Sequence, residues 1–453
     1  MKSSSLYGHL AELLGIVRGS RTPADTLVRH FFRERRYIGA RERRWLSSRL
    51  FGIVRHVRLL EQAVREAFQV RPDFAGAAVP EDDQRLALAI AAAYAIVYEG
   101  DAVPDVCDAV GERWSVDFPG SSPEAVLGAV NEWVAALARR PASASTLALR
   151  HSFPEEVVEE WVDRIGTGET EQLMVALNRE APLSIRVNTL KCTVAECADR
   201  LRAGGIDVQP GTVSPFALTL QRRAVLDAIP TFREGLFEMQ DEGSQILSLL
   251  LQPEPGMTVV DACAGGGGKT LHIAALLQNH GTLIAIDPER RKLENLRERA
   301  RRAGALLSQI IEARHDDPAL SRLHGRADAV LVDAPCSGIG TVRRNPWLKL
   351  EWGSAQRACH PELQLAILES AASMVRKNGR LVYSTCTLVN SENQDVVERF
   401  LRDHPDFTLS SASEILRAWG IQLREQSALL TLWPHHTGTD GFFAAVMHRR
   451  TAD

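Results

Sequence analysis

At 453 residues the chain is too long for one ordinary domain, so two or three are expected. With 45% apolar and 24% charged residues it has the make-up of a globular protein, and no apolar run reaches the roughly 18–20 residues that span a bilayer, which predicts no membrane association. The formal charge of −4 excludes nothing, but seven scattered cysteines, an odd number, argue against a disulfide framework and for reduced thiols in the cytoplasm.

The opening MKSSSLYGHLAELLGIV lacks a small-residue cleavage site and reads as an amphipathic helix. From 1 to 140 apolar residues recur every three to four positions, as in 5–17, 23–33, 41–66, 83–98 and 123–138, with Gly, Pro and Asp at the joints. This predicts an all-helical domain. Its first 60 residues hold 13 Lys/Arg against 4 Asp/Glu, densest over 33–58, where arginines interleave with Tyr37, Trp45, Leu46 and Phe51. A solvated helix face can look like this, but so does a surface that neutralises phosphates and releases their counterions. Arg33, Arg36, Arg43 and Arg44 are therefore candidate nucleic-acid contacts.

Residues 141–175 read as a helical connector with a Pro/Ser/Ala-rich start. Over 176–250, short strand-like runs (LSIRVNTL, FALTL, GLFEMQ) surround a helix at 193–203, predicting a small α+β subdomain. From 251 to 453 strands and helices alternate, with strands at 258–262, 282–287, 308–313, 328–334 and 379–385. Five such units imply a parallel, doubly wound sheet that takes ligands at the carboxyl ends of its strands. A closing pair at 428–433 and 442–447 reads as an antiparallel hairpin on the sheet edge.

After the first of these strands comes Asp261-Ala262-Cys263-Ala264-Gly265-Gly266-Gly267-Gly268-Lys269-Thr270, and then a helix. Glycines let backbone approach a ligand, and the helix start offers free N–H groups. A P-loop would fit GGGGKT except that its first glycine falls on Cys263. The acidic residues favour a nucleoside cofactor instead. Asp287 closes the second strand, where a carboxylate accepts ribose hydroxyls, although with Pro288 behind it Asp287 also suits a helix N-cap. Asp316 follows the third strand, in position for an adenine amino group, with Asp317 able to exchange roles. Arg291 completes the candidate cofactor set.

Two cysteines lie at strand ends, in Asp333-Ala334-Pro335-Cys336-Ser337-Gly338 and in Ser384-Thr385-Cys386-Thr387. Thiolate addition at C6 of a cytosine would make C5 nucleophilic, and a thiolate is also a tolerable leaving group. Asp333 would hydrogen-bond the base as charge develops. Position alone does not choose between Cys336 and Cys386. No Cys/His set has metal-ligand spacing, since His435 and His436 stand alone and Cys192 and Cys197 lack a partner pair, so no metal is expected.

DACAGGGGKT, DAPCSGIGTVRRNP, YSTCT and DGFFAA resemble motifs of the bacterial RNA 5-methylcytosine methyltransferases, and RVNTLK and FEMQDEGS resemble segments of their small subdomain. The arginine-rich start is similar to the NusB-like RNA-binding domain fused to some members that modify 16S rRNA. The resemblance implies a multi-domain enzyme: an all-α NusB-like domain (1–140), the connector, an α+β RNA-binding subdomain (176–250) and a Rossmann-like class I methyltransferase domain (251–453). It implies S-adenosylmethionine as cofactor, with Lys269, Asp287, Asp316 and Asp333 near the cofactor or the target base. Cys386 is then the nucleophile and Cys336 assists product release, while Arg343, Arg344 and Lys349 match a loop that holds RNA phosphates. The partner is 16S rRNA, naked or in an early assembly intermediate, and the enzyme a monomer. A tRNA substrate, a non-catalytic assembly factor and a P-loop NTPase are the competing readings. One departure stands out: the family's Ala-Pro-Gly-Gly-Lys-Thr is here Gly265 to Thr270 without the proline, which predicts a less pre-organised cofactor loop. Trp347 stands where a short polar residue is common, to stack on a base or to pack.

Overall fold

A computed structural model describes residues 2–20, 22, 24–69, 83–222, 225–352, 360–424 and 427–451. The described residues fall into two compact units, one from 1–178 with 345–352, the other from 179–344 with 353–453. Cys359 lies outside the described residues, as does most of the Pro/Gly-rich joint before residue 83.

The first unit is helical: α1 (Ser3–Arg18), α2 (Ala24–Glu34), α3 (Ala40–Arg55), α4 (Val57–Gln69), α5 (Asp83–Tyr94), α6 (Val103–Asp117), α7 (Pro123–Arg139), α8 (Ala144–His151) and α9 (Glu155–Asn178). The single pattern at 41–66 is two helices, parted at His56, whose φ of −120° and ψ of 16° leave the helical range. Leu10, Leu13 and Leu14 of α1 pack with Leu46, Leu50 and Ile53 of α3 around α5, where every residue from Leu86 to Ala93 is buried. A helix apolar on all sides belongs at the centre of such a bundle. Ser122 and Ser143 cap α7 and α8 by accepting the amides of Ala125 and Thr146.

Residues 345–352 rejoin this unit from far along the chain. Trp347 packs on its core with its ring 6.2 Å from Phe51, so packing is its role here. Lys349 is only 3% exposed; its Nζ donates to Arg55 O at 2.8 Å, His151 O at 3.0 Å and Asn178 Oδ1 at 2.5 Å, and lies 3.8 Å from the Phe153 ring centre. Those three acceptors belong to the last residues of α3, α8 and α9. Burial, then the Arg55 and Arg58 charges, hold the Lys349 pKa well below the ordinary lysine value, and its donors close the carboxyl ends of three helices. Lys349 is a structural pin of the helical unit and not a phosphate contact.

The second unit holds two sheets. In the smaller, β1 (Leu183–Val187), β2 (Val208–Pro210), β3 (Ala217–Leu220) and β4 (Phe237–Met239) run antiparallel in the order β2-β3-β1-β4, covered by α10 (Val194–Ala203), and α11 (Pro230–Arg233) and α12 (Glu242–Leu249) flank β4 in the chain. Thr193 and Glu196 form a full capping box at the start of α10. The larger sheet contains β5 (Thr258–Asp261), β6 (Thr282–Asp287), β7 (Gln309–Glu312), β8 (Ala327–Asp333), β9 (Val375–Thr385), β10 (Phe407–Ser410), β11 (Leu429–Leu432) and β12 (Phe442–Arg449). Its order is β10-β12-β9-β8-β5-β6-β7, with β11 also on β12. Strands β5 to β9 are parallel. The closing hairpin forms as expected, but β12 is not at the edge: it pairs with β9 on one side and with β10 and β11 on the other. Between β5 and its neighbours β6 and β8 the chain leaves in opposite directions, the switch point where such sheets bind ligands.

Candidate active site

Four turns at the carboxyl edge of the parallel strands build the site. β5 delivers the glycine loop, which closes as helix α13 (Gly268–Leu276) begins. Gly267, at φ 87°, caps α13, and a Cβ there would run into the Leu296 side chain, so this turn admits glycine alone. Asp287 ends β6 and braces the loop: its Oδ2 accepts from Gly265 N at 2.9 Å and its Oδ1 from Glu289 N at 2.8 Å. The next helix, α14 (Arg290–Ala303), takes Glu289 as its N-cap, so the expected capping role of Asp287 is replaced by a tight local turn. Each Asp287 oxygen keeps a second lone pair for a ligand hydroxyl.

A cavity of about 310 Å³ opens beside these turns. Cys263, Gly265, Asp287 and Asp333 line it, as the sequence suggested, together with Ile286, Pro288, Ala313, Leu320 and one face of α15 (His360–Met374) carrying Leu363, Ile367, Ser370, Ala371 and Met374. The α15 contribution was missed, though the i, i+4 spacing of 363, 367 and 371 marks one helix face. Two expectations shift by a residue or two. Lys292 lines the cavity while Arg291 points to solvent, because the helix turn faces the former inward. Arg314 and His315 line it while Asp316, 63% exposed, pairs with Arg314 at 3.4 Å. Asp317 caps the short 3-10 turn Pro318–Leu323 through Ala319 N at 2.9 Å.

Behind the cavity the charges interlock. Lys269 donates to Asp333 Oδ2 at 2.6 Å and Ser384 donates to Asp333 Oδ1 at 3.0 Å. Burial alone would lower the Lys269 pKa, yet the Asp333 carboxylate, with help from Cys386 and Asp261, raises it above the usual value. Lys269, which a phosphate-binding loop would aim at its ligand, is held by protein instead. Asp261, buried and bonded to Thr270 at 2.6 Å, is pushed up to about 6 by burial, against the Thr270 hydrogen bond and with the Asp333 charge. The Cys263 thiol is held well above the ordinary range by burial and then by Asp261, Asp333 and Asp287, so it stays neutral.

The two strand-end cysteines, 50 residues apart in sequence, meet with Sγ atoms 3.4 Å apart. A hydrogen bond toward Cys386, burial, and the charges of Cys386 and Glu392 hold Cys336 well above an ordinary thiol. Cys336 therefore keeps its proton in this contact.

Residues not singled out from sequence fix that geometry. Buried Glu392 accepts on Oε2 from Ser337 N at 2.8 Å and Gln364 Nε2 at 2.9 Å, and pairs with His360 at 3.3 Å. Gln364 also donates to Pro335 O at 2.9 Å, so Gln364 and Glu392 grip the Cys336 turn from both sides. Asn393 accepts from Thr385 Oγ1 at 2.5 Å and donates to Thr387 O at 3.1 Å, gripping the Cys386 turn in the same way. Gly340 N donates to Cys386 O at 3.1 Å, and Gly441 N to Gly340 O at 2.8 Å.

The loop after Cys336 corrects a further expectation. Arg343 donates to Gly438 O at 2.7 Å and Thr439 O at 2.9 Å, and Arg344 bridges Asp440 at 2.5 Å and Asp241 at 2.7 Å. Both are anchored on protein carbonyls and carboxylates and are not aimed at phosphates. In the helical unit Arg43 is likewise turned inward, onto Ile38 O at 2.8 Å and Phe32 O at 3.3 Å. Arg33, Arg36 and Arg44 are exposed and have no partner among the described residues.

Residues 248–448 match the family described as 16S rRNA methyltransferase RsmB/F, and residues 153–226 match its ferredoxin-like domain. The chain is 35% identical over 306 residues to the Bacillus subtilis (strain 168) protein named "Probable ribosomal RNA small subunit methyltransferase B", covering 67% of this chain and 68% of that one. Among solved structures, the protein PH0851 superimposes with a TM-score of 0.75 at 26% identity over 99% of both chains. NSun6 from Pyrococcus horikoshii, solved with SFG, gives 0.59 at 22% identity over 66% of this chain and 99% of that one, a likeness of fold. The chain belongs to the RsmB/F family of 16S rRNA methyltransferases.

Proposed function

We propose that this chain transfers a methyl group from S-adenosylmethionine to C5 of a cytosine in 16S rRNA, with Cys386 as covalent nucleophile. The observation that carries the proposal is the 3.4 Å approach of Cys336 and Cys386 at the sheet edge that also bears Lys269 and Asp333. The cavity suits the cofactor. Its volume falls at the lower end of the roughly 300–1,000 Å³ typical of small-molecule sites, its walls are apolar at Ile286, Ala313, Leu320 and Met374, and Asp287 offers lone pairs to a ribose. A fold neighbour is solved with SFG, an analogue of S-adenosylmethionine, which supports the same choice. When bound, that cofactor supplies an electrophilic methyl on a sulfonium.

The chain's own residues do the rest. Cys386 adds to C6 as the thiolate nucleophile. The C5–C6 electron pair moves into the ring, so C5 becomes the nucleophile toward the methyl group, while Asp333 accepts a hydrogen bond from the base. Loss of the C5 proton to a base returns the pair, the C6–S bond breaks, and Cys386 leaves as thiolate. Cys336, protonated and adjacent, assists that release. The target cytosine must be unpaired or flipped for C6 to be reached. In this proposal the helical unit is a NusB-like RNA-binding domain whose exposed Arg33, Arg36 and Arg44 contact the substrate, and the enzyme works as a monomer on naked or early-assembly rRNA.

The test is methyl incorporation from labelled cofactor into small-subunit rRNA, with bisulfite sequencing to name the base. Incorporation that disappears in Cys386→Ala supports the proposal. Equal incorporation by parent and variant, or a mark at any atom other than cytosine C5, would sink it.

A further inference from the structure

We infer that Arg186 and Arg299 are positioning residues for the cofactor loop, doing by side-chain hydrogen bonds what a rigid residue in the loop would do by covalent constraint. The inference rests on the cofactor proposal above. Four consecutive glycines, Gly265 to Gly268, are a costly segment to hold in one conformation, because glycine loses the most backbone freedom on ordering. The loop works only if its N–H groups face the ligand and its carbonyls face away.

Beside the turn bond from Gly267 N to Ala264 O at 2.9 Å, the constraints come from outside the glycines. Arg299 Nη1 donates to Gly266 O at 2.5 Å, and Arg186 Nη1 donates to Gly268 O at 2.5 Å. On the other side of the peptide chain Asp287 takes the Gly265 N–H. Neither arginine is adventitious. Arg299 is locked onto Glu238 through Nε at 3.2 Å and Nη2 at 3.1 Å, and Glu238, 3% exposed, is held in turn by Arg302 at 2.5 Å. Arg186, 2% exposed, rises from β1 and also donates to Gln240, which is tied to Ser244 at 3.1 Å. Burial lowers the Arg186 pKa to about 9, with the Glu238 charge opposing, so the guanidinium stays charged at neutral pH. Bonds from a charged donor are stronger than neutral ones and directional. Two guanidinium groups, Arg299 held by Glu238 and Arg186 held by Gln240, thus fix the carbonyls of Gly266 and Gly268.

The loop expected to be loose is therefore braced, and the brace suggests its own rescue. Gly266 lies outside the left-handed backbone range and its N–H has no partner among the described residues. A Cβ there would meet only Arg299 Nη1 at 3.3 Å and Asn295 Nδ2 at 3.7 Å. Proline at 266 would fit best where Arg299 is shortened, fixing by its ring what the arginine fixed by hydrogen bonds.

The experiment measures S-adenosylhomocysteine binding to the full chain by calorimetry, without RNA, alongside thermal melting. Arg299→Ala should bind about ten- to a hundredfold more weakly, the scale of one charge-assisted hydrogen bond. In methyl transfer its KM for the cofactor should rise while kcat at saturation holds within about twofold. Gly266→Pro placed in Arg299→Ala should recover most of the lost affinity, a recovery that a general packing defect would not give. Should Arg299→Ala melt before it can be titrated, Arg299→Lys, which keeps the charge toward Glu238 but lacks the fork, must show the same weakening. Unchanged affinity in the folded variant, or no recovery with Gly266→Pro, overturns the inference. A parent chain that binds no S-adenosylhomocysteine overturns the cofactor proposal itself, a different and separately visible failure.

Discussion

Replacing Glu392 by glutamine tests how the cysteine turn is held. The parent carboxylate accepts from Ser337 N and from Gln364 and pairs with His360, all through Oε2. Glutamine keeps an acceptor oxygen in place, so the shape of the clamp survives and only the charge is lost. Hydrogen bonds to a charged group contribute about 1.5–3 kcal/mol and neutral ones about 0.5–1.5. For the two bonds the loss is about 2 kcal/mol, a substantial part of a typical stability of about 5–15 kcal/mol. Local opening of the 334–342 turn is read by amide hydrogen exchange, which follows sub-global opening without assuming one two-state transition for a two-unit chain. Exchange at Ser337 should quicken about 30-fold, with β5 and β6 unaffected. If Ser337 exchanges at the parent rate in Glu392→Gln, the clamp contributes nothing and the account of this turn fails.

Three other outcomes follow from the same geometry. Burial first, then Lys349, Arg55 and His151, lowers the His56 pKa from 6.5 to about 3, so folding excludes a proton; stability is full above about pH 6.5 and falls by about 1.4 kcal/mol per pH unit below it. His56→Phe, which keeps the stack on Tyr98 at 3.9 Å, should flatten that acid limb in a pH series of melting curves. Lys349→Met strands three acceptors at about 1–3 kcal/mol each while relieving the desolvation of a buried amine, for a net loss of about 3 kcal/mol in calorimetry; a more stable variant would contradict the pin. Gly340→Ala puts a Cβ 2.3 Å from Gly441 O and 2.8 Å from Cys386 O, both backbone atoms, and a shift of about 1 Å in a catalytic group costs about a hundredfold in rate, so kcat should fall by that order with far-UV dichroism unchanged.

The catalytic sheet was legible because β5, β6, β8 and most of β9 are apolar runs closed by acidic or cysteine-bearing turns, and those turns are where a parallel sheet keeps its chemistry. What escaped notice was short or polar. β2 has three residues, β10 exposes Thr408 and Leu409, and the start of β9, Val375-Arg376-Lys377-Asn378-Gly379, reads as a turn, with Asn378 at φ 60°. The interior place of β12 was there to be read in the unbroken burial-type run FFAAVM, since an edge strand would alternate. The basic loop misled for a different reason. Arg343, Arg344 and Lys349 look like phosphate ligands when only neighbours in sequence are considered, but the partners that claim them lie at Asp440, Asp241, Arg55 and His151, far along the chain. Long-range partners carry no local signal. The glycine loop shows the same limit: the missing proline is visible in the sequence, and the arginines that brace the loop, 82 and 33 residues away, are not.

The central claim is that Cys386 forms the bond to RNA and Cys336 helps to break it. Cys336→Ser and Cys386→Ser, each incubated with cofactor and small-subunit rRNA, are compared on a denaturing gel for a protein–RNA band that survives sodium dodecyl sulfate and disappears with ribonuclease. The account predicts that band in Cys336→Ser and none in Cys386→Ser. A band in Cys386→Ser with none in Cys336→Ser would transfer the nucleophile to Cys336 and contradict it.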